Sequence, residues 1–256
     1  MAVRIRPYKI TAIGLSDIGL VRQNNEDVWA QIPKRNLFVL ADGMGGHQAG
    51  EIAARETVQT LCDAILKGLD IEDEEISLEE ARHLVIDSIE EVNTHVYKMA
   101  KKDLELRGMG TTLCCLLFHA KGLIYGHVGD SRIYRLRNKR LFQMTKDHSL
   151  MRELLDLGQL NERHAGEFQY RNIITKAVGT ESSVDPSVRI SPLNDGDIYM
   201  MCTDGLSDLL SKDELETIMN SAHNLGEAAH KLVQAAKDKG GHDNITLVLA
   251  KVKFLS

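Results

Sequence analysis

The chain has 256 residues, with 31 Lys and Arg against 37 Asp and Glu, a net charge of −6. A general binder of nucleic acid needs a surplus of phosphate-neutralising cations, so that class is excluded. Hydrophobic residues at 43% and charged residues at 27% describe a chain that buries a core, which excludes intrinsic disorder.

The four prolines, Pro7, Pro33, Pro186 and Pro192, sit in no Ser/Gly-rich linker, so one continuous domain over residues 1–256 is expected. The stretch Met1–Arg6 lacks the apolar core of a secretory signal, and the apolar run Leu113–Phe118 is far short of the roughly 20 residues that cross a bilayer. The expectation is a cytoplasmic monomer with no membrane or nucleic-acid partner. Cys62, Cys114, Cys115 and Cys202 form no CxxC pair and read as core filling.

In chain order, β-branched and apolar runs predict strands at Val3–Ala12 and Leu37–Ala41. A helix follows over Glu51–Leu66, where Ile52, Val58, Leu61, Cys62 and Ile65 fall mostly on one face. The acidic stretch Glu72–Glu75 reads as a solvated loop. A second helix spans Ser77–Lys101, with apolar residues stepping by three or four from Leu78 to Met99 and a capping box of Ser77 and Glu80. Strands are then predicted at Thr112–His119, Leu123–Val128 and Arg132–Leu136, joined by Ala120-Lys121-Gly122 and Gly129-Asp130-Ser131, both read as hairpin turns. Weaker helical patterns cover Leu150–Leu157, Lys212–Met219 behind a second capping box of Ser211 and Glu214, and Glu227–Lys237. Strands at Asp197–Cys202 and Ile245–Lys253 complete the set. Hairpins with helices grouped between them predict an α+β fold, a β-sandwich of two antiparallel sheets with helices outside.

Carboxylates stand at strand ends. Leu37–Ala41 runs into Asp42-Gly43, Tyr199–Thr203 runs into Asp204-Gly205, and Asp243-Asn244 precedes the final strand. Asp130 follows Gly129 in a turn, and Glu26-Asp27 precedes Val28-Trp29. Carboxylates gathered at one sheet edge repel by about 4 kcal/mol per close pair at an effective dielectric near 20, so a cation is expected among them. Oxygen donors without paired Cys or clustered His suit Mg²⁺ or Mn²⁺. Two such ions acidify a bridging water and orient it for attack on phosphorus. Arg22, five residues before Asp27, offers a guanidinium fork for phosphate oxygens. His47, in Gly45-Gly46-His47, is a candidate general acid for a leaving alkoxide.

Taken in order, these segments resemble the metal-dependent serine/threonine protein phosphatases of the PPM or PP2C family in their bacterial form. The matching stretches are Ser16–Gly19 with Arg22–Asp27, Ala41–His47, Gly108–Thr112, Val128–Arg132, Thr145–Ser149, Ile174–Gly179, Thr203–Leu206 and His242–Thr246. The resemblance implies a β-sandwich flanked by pairs of antiparallel helices, with a flap over the active site at about residues 149–173. It implies that Asp42 bridges two Mn²⁺ or Mg²⁺ ions with the Gly43 carbonyl as a ligand, and that Asp204 and Asp243 complete the binuclear site. Asp27 and Glu26 would support it through waters, and Asp130 with Asp204 would hold a third ion. Arg22 would clamp the phosphate and His47 would be the acid. Eukaryotic members carry the proposed acid histidine directly after Asp-Gly, where this chain has Met44, so His47 takes the role by the bacterial pattern.

The function so implied is hydrolysis of phosphoserine and phosphothreonine in proteins by a metal-bridged hydroxide, reversing a Ser/Thr kinase. Two alternatives stand beside it: a non-catalytic phosphoprotein-binding pseudophosphatase, and a regulatory phosphatase dedicated to an anti-sigma-type partner. His148 and His242 adjoin motifs and read as orienting groups.

Overall fold

The computed structural model describes residues 7–45, 49–71, 76–161, 170 and 173–255. Two antiparallel sheets face each other. The first has the order β1 (Tyr8–Asp17), β11 (Ile245–Phe254), β10 (Ile198–Cys202), β7 (Arg132–Arg137), β8 (Arg140–Gln143). The second runs β2 (Asp27–Ile32), β3 (Leu37–Met44), β5 (Leu113–His119), β6 (Gly122–Val128), β9 (Ser187–Ser191), and the short β4 (Gly110–Thr111) pairs with the end of β3. Helices α1 (Ala49–Ile71) and α2 (Leu78–Lys102) belong with the second sheet; α5 (Lys212–Ser221) and α6 (Leu225–Asp238) belong with the first. Short helices α3 (Leu150–Asp156) and α4 (Asp204–Ser207) lie between.

The central strands have helices on one face and a sheet on the other, which is why they read as unbroken apolar runs rather than alternating ones. Along β3, Leu37, Val39 and Ala41 pack toward α1 and α2, while Phe38 and Leu40 enter the layer between the sheets. The adjacent cysteines obey the same period of two: Cys115 joins the helix-side core and Cys114 the inter-sheet core, and both are free thiols. Between the sheets, edge-to-face contacts link Phe38 to Phe118 and Phe118 to Tyr199, with ring centroids 5.8 and 5.6 Å apart. The third layer forms where Met200, Cys202, Leu247 and Leu249 meet Leu215, Leu232 and Val233 of α5 and α6.

Both predicted capping boxes form, Ser77 with Glu80 at α2 and Ser211 with Glu214 at α5. The first strand lies at Tyr8–Asp17 rather than Val3–Ala12, because it pairs residue by residue with β11, from Tyr8 opposite Phe254 to Asp17 opposite Ile245. Residues 3–6 fall outside the described residues. The first long helix continues beyond Leu66 to Ile71. Strands β2, β8 and β9 were not among the expected elements.

Ala120-Lys121 closes the β5–β6 hairpin as expected, with His119 opposite Gly122. Gly129-Asp130-Ser131 does not make a hairpin. Strand β6 pairs with β5 and β9, and β7 pairs with β10 and β8, so this turn carries the chain from one sheet to the other. The hairpin that follows is β7–β8, turned by Asn138 and Lys139 at φ of 52° and 64°, the left-handed pair of a type I′ turn. Among the described residues no helix is long and apolar enough to cross a membrane.

Candidate metal centre

The strand pairing delivers carboxylates to one end of the sandwich. Asp27 opens β2 directly opposite Asp42 near the end of β3. Strands β10 and β11 are antiparallel, with Cys202 opposite Leu247, so Asp204 just after one lies beside Asp243 just before the other. Asp130 arrives from the crossover between the sheets. Together Arg22, Glu26, Asp42, Asp130, Asp204 and Asp243 line a cleft of about 410 Å³, with Gly43, Thr112, Ile174 and Asn244 also on its walls. Asp27 lies buried behind them.

Backbone contacts are close where the Asp-Gly pairs turn. A Cβ on Gly43 would stand 2.2 Å from the Gly50 carbonyl oxygen at the start of α1, and one on Gly205 would stand 1.9 Å from the Asn244 carbonyl oxygen. These glycines let the two Asp-bearing turns pack against their neighbours. Hydroxyls and an amide then fix the carboxylate-bearing backbone. The Asp42 N–H donates to Thr112 Oγ1 at 3.0 Å, and the Asp42 carbonyl accepts from the Thr111 hydroxyl at 2.7 Å and the Thr112 N–H at 2.8 Å. Asn244 Oδ1 accepts from the Glu26 N–H at 2.8 Å, while its Nδ2 donates to the carbonyls of Ile18 and Asn24 at 3.0 and 2.9 Å.

Electrostatics register the crowding. Enclosure by protein, followed by repulsion from Asp27, Asp204, Asp130 and Asp243, raises the Asp42 carboxyl well above the usual range. Enclosure and then Asp204 push Asp130 to about 7. Burial is the main reason that Asp27 reaches about 7, opposed by the hydroxyls of Thr246 and Thr203 and reinforced by Asp204 and Asp243. Asp204 is lifted to about 6 by enclosure, then Asp208 and Asp243, with a hydrogen bond from Asp42 pulling the other way. Glu26 is also raised, mainly by enclosure. Arg22 donates to Asp243 Oδ2 at 2.7 Å, and this bond raises the guanidinium further.

Two observations fit a divalent cation at this place. Asp27 Oδ2 accepts from the Thr203 hydroxyl at 3.0 Å, but Oδ1 is buried and makes no hydrogen bond. The titratable donors lining the cleft are all carboxylates, hard oxygen ligands that repel one another and that a Mg²⁺ or Mn²⁺ charge would offset. The side chains surround the cleft rather than converge on a point: among the described residues no three His, Cys, Asp or Glu are already placed to hold an ion.

A family model, Protein phosphatase 2C, matches residues 19–238. The chain belongs to the protein phosphatase 2C family. It is 34% identical over 239 residues to the serine/threonine phosphatase stp of Listeria innocua, covering 92% of this chain and 93% of that one. The S. agalactiae serine/threonine phosphatase has the same fold at a TM-score of 0.86 and 36% identity, covering 95% of this chain and 100% of that chain. The catalytic domain of serine threonine protein phosphatase PstP, whose crystal structure holds two manganese ions, superposes with a TM-score of 0.79 at 34% identity, covering 96% of this chain and 99% of that one.

Within this phosphatase fold, Arg22, Glu26, Asp42, Gly43, Asp130, Asp204 and Asp243 meet at one cleft, with Asp27 directly behind it. His47 lies outside the described residues, as do residues 162–169, 171 and 172 of the flap region. His148 does not line the cleft. Its Nδ1 accepts from the Gly129 N–H at 3.2 Å and its Nε2 meets Ser187 Oγ at 3.0 Å, so it orients the turn that carries Asp130. Burial and then its stacked neighbour His127 push His148 down to about 4, which keeps it neutral. His242 is exposed and is not a wall of the cleft.

Thr112, Thr203 and Asn244 carry no role that their residue types alone reveal. Each adjoins a carboxylate motif, and that adjacency was the available signal. Arg132 is a further one: it grips Asp147 through Nε and Nη2, at 2.9 and 2.7 Å to Oδ2, and this partly buried pair braces the strand next to Asp130.

Proposed function

We propose that this phosphatase acts on phosphoserine and phosphothreonine in proteins, with Mn²⁺ or Mg²⁺ held by Asp42, the Gly43 carbonyl, Asp204 and Asp243, and a third ion held by Asp130 with Asp204. Residues 1–256 act as one catalytic unit, since the carboxylates that meet at the cleft come from positions 26 to 243 of the chain. The observation that carries the proposal is the gathering of these carboxylates, with raised proton affinities and one guanidinium, at a single cleft.

When bound, the ions supply an acidified water for in-line attack and compensate charge on the phosphoryl oxygens. The chain's own residues do the rest. Arg22 reaches the cleft, where its partner is Asp243, and the same guanidinium fork receives the free oxygens of a phosphate. Glu26 on the cleft wall and Asp27 behind it would orient water toward the ligands. Asn244, Thr112 and Thr203 hold the acidic turns in place before substrate arrives, so the geometry needs little reorganisation during reaction. His47 donates the proton to the departing Ser or Thr oxygen. The chemistry uses no Cys nucleophile; the four cysteines are buried free thiols, as suits a cytoplasmic protein that opposes a Ser/Thr kinase.

A non-catalytic phosphoprotein-binding version of this fold would be expected to lack one or more of these carboxylates, and all are in place. Hydrolysis of a phosphothreonine peptide and of p-nitrophenyl phosphate, with Mn²⁺ and with EDTA, tests the proposal. Mn²⁺-dependent turnover of both supports it, and binding of phosphopeptide without turnover would replace it with the non-catalytic reading.

A further inference from the structure

The loop that presents Arg22 also presents apolar surface. Ile18, Leu20 and Val21 are 39%, 61% and 63% exposed, three large aliphatic side chains within four residues, directly before the guanidinium. Leu104, Phe142, Leu157 and Ile190 each stand alone in the sequence, and scattered side chains of that kind are ordinary. Ile174 lines the cleft with Arg22, and the neighbouring Ile173 is 45% exposed. Ile174 is a wall of the cleft, whereas Ile18, Leu20 and Val21 flank it only through their chain neighbour Arg22.

The loop is not loose. Asp17 Oδ1 accepts from the Gly19 N–H at 2.9 Å, and Asp17 Oδ2 accepts from Lys237 Nζ, at the end of α6, at 2.9 Å. The Leu20 N–H donates to the Gly241 carbonyl at 2.8 Å. Asn244 holds the loop at the carbonyls of Ile18 and Asn24, and Arg22 itself is bonded to Asp243. Aliphatic groups held exposed on a pinned loop lose little conformational freedom when a ligand covers them.

We infer that Leu20 and Val21 form a lip that receives a bulky apolar side chain next to the phosphorylated residue of the substrate polypeptide. The occupant follows from continuity with the cleft: a phosphate at Arg22 leaves its own chain running over the residues beside Arg22. An apolar flank laid over Leu20 and Val21 removes their exposed aliphatic surface from water. The inference rests on the phosphatase reading above and names the substrate class that this site prefers.

The test uses two phosphothreonine peptides that differ only in the two flanking residues, both Leu or both Ser, assayed with the full Mn²⁺-loaded chain. The Leu-flanked peptide is expected to exceed the Ser-flanked one in kcat/KM by about tenfold, the effect of covering one large aliphatic side chain. In Leu20→Ser and, separately, Val21→Ser, that ratio is expected to fall at least about threefold, with p-nitrophenyl phosphate turnover unchanged. Equal kcat/KM for Leu and Ser flanks in the wild type, or an undiminished ratio in both variants, overturns the lip. Failure of the phosphatase reading looks different, because then the wild-type chain hydrolyses neither the peptides nor p-nitrophenyl phosphate, and both inferences fall.

Discussion

Asp42 sits where enclosure by protein and then four other carboxylates raise its proton affinity, and that environment links ion binding to stability. Enclosure by protein pushes the Asp27 and Asp130 carboxyls up to about 7, from an ordinary carboxyl value of 3.8. The folded, metal-free chain therefore binds more protons than the unfolded chain across that interval, and its stability falls as pH rises through it. Thermal unfolding in EDTA should give a lower Tm at pH 7.5 than at pH 5.5, and saturating Mn²⁺ should raise Tm more at pH 7.5 than at pH 5.5. Asp42→Asn removes one repelling charge, so the metal-free variant should melt higher than wild type at pH 7.5 while losing at least about a hundredfold in Mn²⁺-dependent turnover. Arg22→Ala should raise KM for a phosphopeptide by at least about tenfold, the loss of a charge-assisted bond to phosphate, as steady-state kinetics would report. At this scale the carboxylates and Arg22 were legible because their chemistry is written in their side chains. Asn244 and Thr112 were not, since an amide or hydroxyl that anchors a backbone looks in sequence like any polar turn residue.

Elements place these residues, and the turns between elements decide the placement. Strands β10 and β11 bring Asp204 and Asp243 together only because Gly205 passes within contact of the Asn244 backbone. Gly205→Ala puts a methyl group where a carbonyl oxygen stands, so α4 must shift away from the Asp243 turn. The expected cost is about 2 kcal/mol in urea unfolding, together with weakened Mn²⁺ binding. The long amphipathic helices α1 and α2, and the capping boxes of α2 and α5, were readable from period and spacing alone. The register of β1 was not, because Ile10 and Ala12 serve the inter-sheet core while Ile13 and Leu15 serve the helix side, which leaves no alternation to mark its ends. Gly129-Asp130-Ser131 has hairpin chemistry, yet whether such a turn joins neighbours or crosses between sheets depends on the distant pairings of β6 with β9 and β7 with β10.

Across the whole molecule, a net charge of −6 is unevenly spent, since five acidic side chains line one cleft with a single Arg. The sandwich holds that arrangement through three apolar layers, one between the sheets and one under each helix pair. Enclosure and, after it, mutual repulsion hold these carboxylates unfavourably charged, and a divalent ion bound there would offset both. The central claim is that this cleft is the metal-dependent phosphoryl-transfer site, and the rate of phosphothreonine-peptide hydrolysis against Mn²⁺ concentration tests it most directly, with wild type and Asp204→Asn run side by side. Saturable activation of the wild type that EDTA abolishes, with Asp204→Asn at least about a hundredfold less active at every Mn²⁺ concentration, is the predicted result. Full turnover by the EDTA-treated wild type, or an Asp204→Asn curve that overlays the wild type, would contradict it.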